Sequence, residues 1–99
     1  MGSRQQKRHL EDLQRRLSAA RESQRILEEQ VTVWNDALDD ARIRALVSET
    51  PIQTHDYNDL SRHVVAANAE LQRRSSEVRS LIVERDELLR EWNPKDDNG

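Results

Sequence analysis

Apolar residues recur along the first half of the chain at alternating intervals of three and four: Leu10, Leu13, Leu17, Ala20, Leu27, Val31, Trp34, Leu38, Ala41 and Ala45, with Gln24 the one polar member of the series. Five heptads of this spacing predict one long helix with a coiled-coil seam. A second series has the same spacing: Tyr57, Leu60, Val64, Ala67, Leu71, Val78, Leu81, Leu88 and Trp92, interrupted by Arg74 and Arg85. Pro51 separates the two. Two adjacent helices joined by a short connection lie antiparallel. The expected fold is therefore all-α: an antiparallel two-helix coiled-coil hairpin occupying residues 1–99 as a single unit.

The boundaries follow from local signals. The first helix is expected over about 4–48, where neither Gly nor Pro intervenes and nearly every residue is a good helix former. Thr50-Pro51-Ile52-Gln53 reads as a helix start, with Thr as N-cap, Pro at the first helical position and Gln three residues after Thr. Thr54 and Asp56 offer a second start just beyond. The turn is placed at about 49–55, the second helix at about 56–92, and a disordered tail at 94–99 after Asn93-Pro94. With a turn centred near residue 52, facing residues should have numbers summing to roughly 105. That register puts Leu13 opposite Trp92, Leu17 opposite Leu88, Ala20 opposite Arg85, Leu27 opposite Val78, Trp34 opposite Leu71, and Ala41 by Val64. The expected hairpin core is Leu13, Leu17, Leu27, Val31, Trp34, Leu38, Leu60, Val64, Leu71, Val78, Leu81, Leu88 and Trp92.

Apolar residues outside the two seams change the picture from a lone hairpin to an assembly. Ile82 and Leu89 repeat at seven residues on a flank of the second helix, and Ile26 and Val33 do so on the first. Ile43, Leu46, Val47, Ile52 and Val65 add an excess near the turn. A two-helix hairpin buries little core for the entropy of ordering it. A second copy packing on these stripes as a four-helix homodimer is the economical expectation. The candidate interface comprises Ile26, Val33, Ile43, Val47, Ile82 and Leu89, together with the seam-breaking Arg74 and Arg85. Polar groups at seam positions lower stability while specifying register or partner. The arginine stems are otherwise expected to lie over the seam, with their guanidinium groups reaching solvent or Glu70 and Glu77.

Composition agrees with long helices: 34% of the 99 residues are hydrophobic, 35% are charged, and there is no Phe. Sustained periodicity argues against a disordered chain of similar composition. There is no Cys, so thiolate metal sites and disulfides are excluded. No apolar run approaches the roughly 20 residues that span a bilayer, and the N-terminus lacks the apolar stretch of a signal peptide. A soluble, cytoplasmic protein is expected, with no membrane partner.

Charge is distributed unevenly. Residues 1–25 carry seven Lys or Arg against three acids, whereas residues 26–60 carry eight acids against Arg42 and Arg44. The basic stretch, with Arg4, Lys7, Arg8, Arg15 and the pair Arg73-Arg74, raises an alternative function as an accessory nucleic-acid or ribonucleoprotein factor. Interleaved acids, the absence of stacking aromatics beside the arginines and a net charge of -3 weigh against it. Glu70, Glu77, Glu84 and Glu91 form a carboxylate stripe beside the second seam.

Catalytic signals are missing. His55, Asp59 and His63 share a helical spacing with metal ligands but have no fourth member. Asp39 and Asp40 are adjacent in sequence and diverge around a helix. No Gly-rich phosphate loop is present. No catalytic, cofactor-binding or metal-binding residue is assigned, and no cofactor is expected. The sequence points to a non-enzymatic interaction or scaffold module whose partner is protein, in the first instance itself.

Overall fold

The computed structural model describes residues 2–48 and 50–92 and is all-helical there, with α1 spanning Gly2–Ser48 and α2 spanning Pro51–Glu91. The two long helices pack against each other. Glu49 and the tail expected at 94–99 lie outside the described residues.

The start of α2 is set by Thr50. Its Oγ1 accepts a hydrogen bond from the Gln53 amide at 3.3 Å, and its carbonyl accepts the Thr54 amide at 3.2 Å. The side chain thus engages an amide that the first turn cannot satisfy internally, and the carbonyl accepts the first helical bond. Pro51 follows at the position where a missing N–H is harmless. Residues 51–55 are therefore helical, and the turn expected over about 49–55 is shorter than the sequence suggested. At the other end of α2 the Trp92 amide reaches back three residues to the Leu89 carbonyl at 3.3 Å, a tightened last turn.

The shorter reversal corrects the register. Arg74 Nη1 donates to the Ser23 carbonyl at 3.1 Å, and the Trp34 and His63 rings meet at 4.4 Å between centroids. The residue numbers of each pair sum to 97, against the expected 105. Trp34 therefore meets His63 rather than lying opposite Leu71, and Leu27 and Val78 belong to separate core clusters. The displacement is close to one heptad, which returns seam positions to seam positions. Leu13, Leu17, Leu27, Val31, Val64, Val78, Leu81 and Leu88 are still buried, with different neighbours.

The chain divides into two compact units. Unit 1 comprises residues 1–23 and 74–99. Its core is Leu13, Leu17, Ala20, Val78, Leu81 and Leu88, with Leu10 and Ile82 packed against it. Leu13 and Leu17 are the most deeply buried large side chains, at 0% and 2% exposure. Unit 2 comprises residues 24–73 and is a helical hairpin closed by the turn. Its core cluster is Leu27, Val31 and Ala67, with Trp34 and Leu71 packed against it; Ala41 and Val64 are buried as well. Small residues carry much of this second core, which leaves less apolar area removed from water per layer.

Candidate functional site

Burial divides both the expected core and the expected interface. Leu13, Leu17, Leu27, Val31, Val64, Val78, Leu81 and Leu88 are buried. Trp34, Leu38, Leu60, Leu71 and Trp92 are half-buried. Of the interface candidates, Ile26, Val33, Ile43, Val47 and Leu89 are exposed. The other three are engaged within the chain. Ile82 is half-buried and packs on the unit 1 core. Arg74 is half-buried and bonds to the Ser23 carbonyl rather than extending to solvent. Arg85 turns to its neighbour Asp86, with Nε at 3.3 Å and Nη2 at 3.1 Å from Oδ1.

The exposed aliphatics concentrate in unit 2. Ile26, Val33, Ile43, Leu46, Val47, Ile52 and Val65 are all exposed there, whereas unit 1 exposes Val83 and Leu89. Six of them, all but Val65, form two groups. The first lines a shallow open groove of about 400 Å³, built from Ile26, Glu29, Gln30, Val33 and Trp34. Spacings of three, four and seven residues place these side chains on one helical face. Trp34 belongs to both the seam and the groove. The His63 ring meets its indole edge-to-face at an interplanar angle of 77°, a favoured aromatic geometry. Glu29 on the groove wall accepts a hydrogen bond from Arg25 Nη1 at 2.8 Å.

The second group lies at the turn. Ile43, Leu46 and Val47 occupy the end of α1, and Ile52 the first turn of α2. Leu46, Val47 and Ile52 are the most exposed large apolar residues described, at 69%, 79% and 73%. Asp36, Asp39 and Asp40 stand between the groups along α1.

Unit 1 carries a smaller concavity of about 260 Å³, lined by His9, Glu84, Glu87, Leu88 and Glu91. Among the described residues no group of three or more His, Cys, Asp or Glu is placed to hold a metal ion. The His55, Asp59 and His63 spacing resolves into separate contacts. His55 Nε2 lies 3.0 Å from Asp59 Oδ2, Asp59 also pairs with Arg62, and His63 goes to Trp34.

Several cations of the basic stretches have acidic neighbours. Arg15 and Arg16 lie 3.6 and 3.8 Å from Asp12, and Arg73 binds Glu70 through Nε at 2.9 Å and Nη2 at 2.5 Å. No helix among the described residues is long and apolar enough to cross a membrane.

The groove was partly legible in sequence. Ile26 and Val33 stand out as off-seam aliphatics seven apart. Trp34 reads there only as core, because its seam position hides that an indole is wide enough to reach the helix flank. The pairing of His63 with Trp34 depends on the register and had no signal of its own. No protein-family model, no curated protein and no solved structure matches this chain.

Proposed function

We propose that this chain is a non-enzymatic coiled-coil interaction or scaffold module that self-associates into a four-helix dimer through the turn-proximal aliphatics of unit 2. The observation that carries this reading is the exposure of Ile43, Leu46, Val47 and Ile52 together. Fully burying one such side chain contributes about 1.5–3 kcal/mol, and scattered exposed aliphatics do not normally collect at one end of a helix pair. The mechanism is helix packing. Seam residues hold α1 on α2, and a second copy covers the group at the turn under two-fold symmetry.

Light scattering on the full chain tests the proposal. The parent protein is expected at dimer mass, and Val47→Asp with Ile52→Asp at monomer mass with its helicity retained. A monomeric parent would remove self-association from the reading, whereas a dimeric double variant would move the interface elsewhere.

A further inference from the structure

From Ile26 to Asp40, α1 carries Glu28, Glu29, Asp36, Asp39 and Asp40 and no Lys or Arg. Glu29 is met by Arg25 from the preceding turn. Among the described residues Glu28, Asp36, Asp39 and Asp40 form no ion pair, although carboxylates elsewhere in unit 2 do, as Asp59 with Arg62 and Glu70 with Arg73. Asp36 repels Asp39 and Asp40 at spacings of three and four, an arrangement that weakens a helix unless cations offset it. This unbalanced stretch coincides with the groove of Ile26, Val33 and Trp34. Ile26, Val33 and Asp40 recur at seven residues along one flank, so one helix laid on that flank would meet two aliphatics and then a carboxylate.

We infer that the groove is a docking site for an amphipathic helix of another protein, with aliphatic anchors at heptad spacing and Lys or Arg beside them. The anchors fill the space between Ile26 and Val33 against the indole of Trp34, which is the helix-in-groove mode of recognition. The cations meet Asp36 and Asp40, supplying the charge that this stretch of α1 lacks and selecting the partner against acidic helices. This surface is distinct from the turn-proximal group assigned to self-association, so the two proposals can fail separately.

Trp34 supplies the reporter. The full chain with Trp92→Phe retains a single indole, at the groove. It is titrated with a three-heptad helical peptide bearing Leu at the seam positions and Lys on the flanks, and with the counterpart in which Glu replaces Lys. The Lys peptide is expected to change Trp34 emission saturably, and the Glu peptide to leave it unchanged. Val33→Asp is expected to weaken the Lys peptide by about tenfold or more, equivalent to about 1.4 kcal/mol. Asp36→Asn with Asp40→Asn is expected to weaken it severalfold. Val33→Asp makes the surface more acidic, so purely ionic association would tighten where groove docking weakens. Should that variant lose helicity by circular dichroism, Val33→Gln decides instead, weaker binding supporting the groove and unchanged binding overturning it. Equal binding of both peptides, undiminished binding to Val33→Asp, or no saturable response to the Lys peptide overturns the proposal. So does a fall in light-scattering mass on Val33→Asp, which would place a second copy in the groove.

Discussion

Units 1 and 2 are built from the same two helices with the same heptad spacing, yet they distribute apolar residues differently. In unit 1 most large aliphatics point inward: six residues, one of them alanine, form one buried cluster, Ile82 on the flank joins it, and among the described residues only Val83 and Leu89 are exposed. In unit 2 the buried cluster has three members, one of them alanine, while seven large aliphatics face outward. A regular seam therefore does not say where the chain invests its apolar surface. The flanks do. Where flanking aliphatics fold onto the core they add stability, and where they stand clear of it they offer area to another molecule.

The largest expected effect tests the core side of that contrast. Leu17→Ala in unit 1 is expected to cost about 3 kcal/mol, within the usual range for a large-to-small change at a buried leucine. Leu27→Ala in unit 2 is expected to cost less, because its neighbours include small and half-buried residues that leave a less enclosed space. Chemical denaturation of both variants checks this, and a larger loss for Leu27→Ala would break the comparison.

Next in size is Arg74→Ala, at about 1.5 kcal/mol, which removes a charged donor to the Ser23 carbonyl together with its packed stem. The neighbouring Arg73→Ala serves as the control, since its pair with Glu70 is exposed. Equal losses for the two arginines would show that the cross-helix bond adds nothing.

Thr50→Ala is expected to cost about 1 kcal/mol by leaving the Gln53 amide without its side-chain acceptor. Amide exchange in the first turn of α2 should rise with it. The smallest effect is Arg15→Gln, at about 0.3 kcal/mol, because its partner Asp12 lies on an exposed surface. A loss above about 1 kcal/mol there would mean that unit 1 depends on surface charge as well as on its core.

Much of the fold was legible because heptad spacing fixes which face of each helix is buried. The length of the reversal was less legible. Thr50-Pro51 and Thr54 to Asp56 both read as helix starts, and nothing local ranks a Thr hydroxyl at one against a Thr or Asp side chain at the other. The structure uses Thr50, and the facing pairs move accordingly. Arg74 illustrates the consequence: a cation at a seam position reads as a group reaching for solvent or for acids, and only the register brings it to the Ser23 carbonyl. Ile82 and Leu89 repeat on one flank, yet the half-buried Ile82 packs on the core while Leu89 is exposed.

The short connection between α1 and α2 has a consequence for how this chain tolerates insertion. Because seam positions recur every seventh residue, the connection behaves like a ratchet. Lengthening it by a whole heptad would slide α2 along α1 to an arrangement that still buries the same stripe, whereas two or five extra residues would turn that stripe off the seam. A competing arrangement one tooth away is thus latent in the apolar pattern itself. The Thr50 cap, the Arg74 bond to Ser23 and the His63 ring on Trp34 are the features that hold the chain in the notch it occupies.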